Sequence, residues 1–175
     1  MNVDITIEDA KRLKTTAKVW TRICRGFQLD PKGNQTICLH AQKCVGRWVY
    51  GYLVPADDEM PLIYGGSELH EILGGSKQIE VLKDSVCRCT GLIIENGDSF
   101  GKLLFEYDVV DAKTTIEGVA KNKTFLFEDA FVYWHAPELS FGLMTSDGKA
   151  HPFNHKWSFN IKGTVFDLRK DFLIE

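Results

Sequence analysis

Apolar positions along this chain keep two different periods. Between Thr6 and Trp20 the residues Ala10, Leu13, Ala17 and Trp20 recur at spacings of three and four, the period of one helical stripe. Thr6 is a capping residue, and Asp9 answers it three positions later. Lys11, Arg12, Lys14 and Lys18 crowd the remaining surface, so the pattern predicts an amphipathic, basic helix over Thr6–Trp20. Beyond it the period falls to two. Trp48, Tyr50 and Tyr52 share one strand face, with Val49 and Leu53 on the other. Leu103, Phe105, Tyr107 and Val109 alternate with Leu104, Glu106, Asp108 and Val110. Trp157, Phe159, Ile161 and Val165 alternate with Ser158, Asn160, Lys162 and Thr164, the cleanest half-buried strand in the chain. Further strands are expected over 22–29, 36–40, 86–94, 115–121, 124–128, 130–135 and 139–144.

Turn signals separate these runs. They are Pro31-Lys32-Gly33-Asn34, Glu95-Asn96-Gly97-Asp98, Asp147-Gly148 and the glycine pairs at 65–66 and 74–75. Glu68 to Leu73 reads as a single helical turn. Short strands with frequent turns indicate a mainly β fold, an antiparallel small barrel or sandwich. The expected organisation is an N-terminal helix appendage over 1–21 and one β domain over 22–175.

Composition narrows the function classes. A chain of 175 residues buries about 70% of its unfolded surface, so it folds without disulfides or metal. Net charge is −3, so no global basic field supports sequence-independent binding to nucleic acid, although a local patch is compatible with it. The start, MNVDITIEDAKRLK, lacks the basic-then-apolar order of a secretory signal, and no apolar run approaches the ~18 residues of a membrane helix. Five cysteines, an odd number, read as reduced thiols in a cytoplasmic protein.

Candidate chemistry is sparse. Cys87 and Cys89 share a strand face, and Cys38, His40 and Cys44 offer further ligands for one metal ion, but their spacing matches no compact zinc pattern. Buried thiols acting as small hydrophobes are the better reading, and no metal or cofactor is expected. His151 and His155 stand four apart with Pro152 between them, which favours an exposed loop over a ligand pair. His135, at a strand end before Pro137, reads as a surface or satisfied core histidine. Gly74-Gly75-Ser76-Lys77 fails the phosphate-loop spacing, and no nucleophile elbow is present. Glu106 and Asp108, two apart, read as a solvated face in preference to a general acid–base pair. Arg47 beside Trp48, Tyr50 and Tyr52 is a platform for stacking single-stranded bases, weighed against the same aromatics as core or interface.

Three segments together resemble the YopX family of phage and prophage proteins. They are Trp48-Val49-Tyr50-Gly51-Tyr52-Leu53-Val54; Thr90-Gly91-Leu92 with the Asn96-Gly97 turn and Glu106-Tyr107-Asp108-Val109-Val110; and Gly163-Thr164-Val165-Phe166-Asp167 with Phe172-Leu173. Tyr107 stands where that family tends to have glycine, which argues against a tight left-handed turn, since Tyr adopts positive φ reluctantly. The turn after Asn96-Gly97 is several residues longer, and the N-terminal helix is an addition. The resemblance implies a phage, prophage or mobile-element origin and carries no activity with it.

The resulting expectation is a non-enzymatic accessory protein that binds a bacterial host protein or complex, inhibition of a defence system in the anti-CRISPR manner being one form. Its partner-binding residues would be Lys11, Arg12, Lys14 and Lys18 on the helix and the acidic loop Asp57, Asp58 and Glu59. A nucleic-acid-binding module using Arg47, Trp48, Tyr50 and Tyr52 is the alternative, and a metal-dependent enzyme the third. Self-association through edge strands is compatible with all three.

Overall fold

The computed structural model describes residues 23–54, 61–66, 77–116, 122–153 and 156–167. The helix expected over Thr6–Trp20, the acidic cluster Asp57, Asp58 and Glu59, the turn Glu68 to Leu73, the glycine pair 74–75 and His155 lie outside the described residues. So does the boundary expected between 21 and 22.

The described chain is mainly β and antiparallel throughout, in keeping with the barrel-or-sandwich expectation. A first sheet holds β1 (Ile23–Leu29), β2 (Gln35–Leu39), β3 (Gln42–Val54), β4 (Leu62–Gly66), β5 (Gln78–Glu80), β6 (Cys87–Ile93) and β7 (Leu103–Phe105). Its order is β5-β4-β3-β1-β6-β7, with β2 added on β3. A second sheet holds β8 (Asp108–Ile116), β9 (Lys123–His135), β10 (Ser140–Met144), β11 (Ala150–Pro152) and β12 (Trp157–Thr164), in the order β11-β10-β9-β8-β12. No helix among the described residues is long and apolar enough to cross a membrane.

β3 organises the first sheet because it is long enough to pair three strands. Gly46 stands opposite both Leu29 and Gln35, so β1 and β2 lie on opposite flanks of β3. Tyr50 stands opposite both Arg25 and Gly66, which puts β4 on the flank of β2. Period-two alternation then sends Ile23, Phe27, Tyr50, Cys87, Cys89 and Phe105 into one core. Burying a side chain such as Phe27 completely contributes about 1.5–3 kcal/mol. The second sheet builds its own core from Val110, Ala112, Ala130, Val132, Leu143 and Phe159. A smaller cluster, Cys24, Val49, Ile63, Ile79 and Val81, lines the other face of the first sheet.

β7 is the seam between the two sheets. Leu103 and Phe105 enter the first core, and Leu104 between them enters the second with Ile94. The run expected as one strand from 103 to 110 is therefore two strands in two sheets, broken at Glu106-Tyr107.

Other differences from the pattern have local causes. β2 and β3 are joined by His40 and Ala41, both left-handed (φ 49° and 61°), a two-residue hairpin turn made without the usual Asn-Gly. The glycines at 65–66 lie within β4 and not in a turn, because a Cβ on Gly65 would fall 2.1 Å from the Tyr50 carbonyl oxygen. The strands expected over 124–128 and 130–135 are one strand, β9, interrupted by a bulge where Asp129 takes φ 51°. His151 sits in β11, half-buried against the Phe127 ring (4.6 Å between centroids), and not on an exposed loop.

Candidate functional site

Two places among the described residues bring several polar side chains together: the turn where the sheets meet, and a groove on the outer face of the second sheet. The turn is Glu106-Tyr107-Asp108. Tyr107 takes φ 67°, a left-handed conformation that costs an L-residue about 1–2 kcal/mol. Sequence reasoning placed Tyr against such a turn, and the surroundings override that preference. The Tyr107 N–H donates to the Val132 carbonyl (2.8 Å), its carbonyl accepts from the Val165 N–H (2.9 Å), and its ring meets Phe166 edge-on at 5.6 Å. Phe166 also contacts Trp48, with 5.7 Å between ring centroids. Residues from all three segments that carry the family resemblance thus meet at this junction.

The flanking carboxylates are not a solvated face. Asp108 is 1% exposed, with Arg25 Nη2 2.7 Å from Oδ1 and the Phe105 N–H donating to Oδ2 at 2.8 Å. Burial raises the Asp108 pKa above its usual range, and Arg25 and the Phe105 N–H offset that only in part. Burial is the largest single influence on Arg25 and works against its charge, but Asp108, Cys87 and Tyr50 together outweigh it and the guanidinium stays protonated. The Arg25 guanidinium lies 4.9 Å from the ring centres of both Trp48 and Phe105. Glu106, 7% exposed, takes a bidentate grip from Arg88: Nε donates to Oε2 at 3.0 Å and Nη2 to Oε1 at 2.9 Å. Arg88 in turn covers Trp134 of β9 at 4.8 Å. Each carboxylate therefore has its own guanidinium instead of converging with the other: Arg25–Asp108 links the two sheets, and Arg88–Glu106 ties β6 to the turn between them.

The aromatic row on β3 shares one face, as its spacing predicts, but that face points inward. Tyr50 is buried beside Phe105, Trp48 packs edge-on against Phe27 at 5.3 Å, and Tyr52 lies against the same core. Arg47 is exposed on the opposite face, its Nε donating to Gln28 Oε1 at 2.9 Å. The structure separates the basic residue from the rings that were to form a platform with it.

The cysteines divide in the same way. Cys87 and Cys89 face the first core, and burial pushes both thiols up to about 12. The Cys87 thiol donates to the Ser85 carbonyl at 3.2 Å. Cys38 and Cys44 are half-buried on the β2–β3 hairpin, opposite Lys43 and Ile37 respectively, and so on opposite faces. His40 faces Asp84, with Nε2 and Oδ2 2.5 Å apart. Among the described residues no three His, Cys, Asp or Glu side chains gather to hold a metal ion, so Cys38, Cys44, Cys87 and Cys89 do not form a ligand set.

The groove lies across β12, β8 and β9, with a volume of about 320 Å³. Its wall is the Asn96-Gly97 end of the loop from β6 to β7. Ser99, 1% exposed, fixes that loop by donating to Asn160 Oδ1 (3.0 Å) and accepting the Ile161 N–H (2.8 Å). Two bulges end the groove, one at Asp129 and one at Lys162. Lys162 Nζ joins them, 2.6 Å from Asp129 Oδ1 and 3.4 Å from Asp111 Oδ1. Leu126 stands on this surface 72% exposed, with Lys113 and Glu128 beside it lining the groove. An exposed leucine with a cation and an anion at its sides suits contact with an apolar group carried on a polar chain. Alternation made Leu126 legible, since Phe125 and Phe127 claim the inward face; the groove itself depends on which strands become neighbours.

No protein-family model matches this sequence, and no curated protein or solved structure matches it.

Proposed function

We propose that this protein works by binding a macromolecular partner, with the outer face of the second sheet as the contact surface among the described residues. The observation that carries the reading is Leu126, 72% exposed on a sheet surface whose other face forms a full core, beside a groove with both charges at its edge. The titratable groups at the sheet junction and in the first core support it from the other side. Arg25 with Asp108, Arg88 with Glu106, and the core thiols Cys87 and Cys89 are engaged in holding the fold. In its finer form the partner is a bacterial host protein or complex and the chain a phage- or prophage-encoded accessory, inhibition of a defence system being one form of its action; that form rests on the family resemblance. The basic helix and acidic loop expected to take part lie outside the described residues.

A protein partner ranks ahead of nucleic acid because the rings of Trp48, Tyr50 and Tyr52 pack inward. The test is capture of tagged full chain from bacterial lysate, with and without nuclease, followed by size exclusion. A stoichiometric protein complex that survives nuclease supports the reading. Recovery of nucleic acid, or loss of every partner on nuclease treatment, overturns it in favour of the nucleic-acid module.

A further inference from the structure

We propose that Asn96 is a site of spontaneous covalent modification, losing its side-chain amide through attack by the backbone nitrogen of Gly97. The Asn96-Gly97 turn combines three features that favour the step. Both residues are exposed, and Asn96 is the only asparagine in the chain followed by glycine. Gly97 takes φ 81°, and a Cβ placed on it would meet nothing within 4 Å, so the turn stands in open space on that side. Among the described residues neither the Gly97 N–H nor the Asn96 side chain has a hydrogen-bond partner, although the Gly97 carbonyl accepts from Phe100. Nucleophile and electrophile are thus both unoccupied.

The chemistry balances without an oxidant or reductant. The Gly97 nitrogen forms a bond to Asn96 Cγ, and the bond from Cγ to the amide nitrogen breaks. Ammonia leaves with the proton from the Gly97 nitrogen. The cyclic imide then takes up water at one of its two carbonyls and opens to aspartate or to its backbone-shifted isomer. Either product puts a new negative charge on a groove that Asp111 and Glu128 already line.

Asp147-Gly148 shows by contrast what protects such a pair. There the Gly148 N–H donates to the Thr145 carbonyl at 2.9 Å. The Asp147 carboxylate is held by Thr145 and Lys149, which keep it ionised and so a poor target for attack.

The test is incubation of the full chain at neutral pH and physiological temperature, with peptide mass mapping over time. The mass of the Asn96 peptide should rise by about 1 Da. Its rate should exceed those at Asn34 and Asn122, exposed but followed by Gln and Lys, by at least about tenfold, a barrier lower by about 1.4 kcal/mol. Gly97→Ala should slow the reaction, and Asn96→Gln should abolish the acidic species without disturbing the backbone. Equal rates at the three asparagines, or an acidic species that persists in Asn96→Gln, would overturn the proposal. None of these readouts depends on the partner reading.

Discussion

Arg25 and Asp108, far apart in sequence, meet at 2.7 Å inside the protein, with 7% and 1% of their side chains exposed. The pair ties β1 of the first sheet to the first residue of the second. Removing one partner strands the other charge in a low-dielectric site, which costs about 3–5 kcal/mol. Arg25→Met and Asp108→Asn should each lower unfolding free energy in urea by about that amount. The double variant should lose less than the sum of the two, since neither charge is then left alone. Strict additivity would show that the ion pair is not coupled.

Tyr107 tests a different term. Its φ of 67° is tolerable for an unbranched residue and severe for a β-branched one. Tyr107→Gly relieves the backbone but forfeits the contact with Phe166, and the two effects should partly cancel, leaving a loss of about 1 kcal/mol. Tyr107→Val loses the ring and keeps the strain, so its melting temperature should fall clearly below that of Tyr107→Gly. The reverse order would mean that the ring contact alone decides this position.

Little of this junction was read from the sequence: Glu106 and Asp108 were expected on a solvated face, and Tyr107 was argued against the left-handed turn it adopts. Arg25 falls between Ile23 and Phe27 on the inward parity of β1, so alternation alone marks it as a buried cation in need of a partner. Nothing local says that the partner is Asp108, because that depends on β6 lying between β1 and β7. His40-Ala41 escaped for a chemical reason: the pair contains none of the Asn, Asp or Gly residues that advertise a primed turn. Gly65 misled in the opposite sense, since here glycine answers a close approach of neighbouring backbone and not a reversal. The break at Asp129 was visible as a gap between two strands, and it proved to be a bulge within one.

The cysteines make a prediction about alkaline pH. Cys87 and Cys89 are held near 12 in the folded chain, against an ordinary thiol value of 9.0. Between those values the unfolded chain loses protons that the folded chain keeps, so stability falls as pH rises. Each thiol contributes up to about 1.4 kcal/mol of loss per pH unit across that window, and Tyr50, also raised to about 12, adds to it above 10. At mildly alkaline pH a thiol reagent should label Cys38 and Cys44 in the native state, and Cys24, Cys87 and Cys89 only on denaturation. Rapid native labelling of Cys87 would contradict the burial that drives this prediction.

Asp147 moves the other way. Hydrogen bonds from Lys149 and Thr145 lower its carboxyl to about 2 on the exposed β10–β11 hairpin. Any stability it contributes is present above the ordinary carboxylate range and disappears as pH falls through 2. Side-chain NMR titration should find Asp147 still ionised near pH 3, and Lys149→Ala should return its midpoint toward 3.8. An unchanged midpoint in that variant would remove the lysine as the cause.

Leu126 links the structure to the proposed function most directly. It is 72% exposed and packs into no core, so replacing it should leave the melting temperature within the range of ordinary surface changes, about 0.5 kcal/mol or less. Leucine buried in a partner contributes about 1.5–3 kcal/mol, and Leu126→Glu adds the cost of desolvating a charge. Affinity for the captured partner should therefore drop by at least about tenfold. Leu126→Met, similar in volume and apolar, should retain binding. Trp48→Ala is the counter-experiment, because that ring sits between Phe27 and Phe166 and its loss should cost about 3–5 kcal/mol of stability. Calorimetry and binding on the same three variants separate the two roles. If Leu126→Glu binds its partner as tightly as the parent, the outer face of the second sheet is not the contact surface.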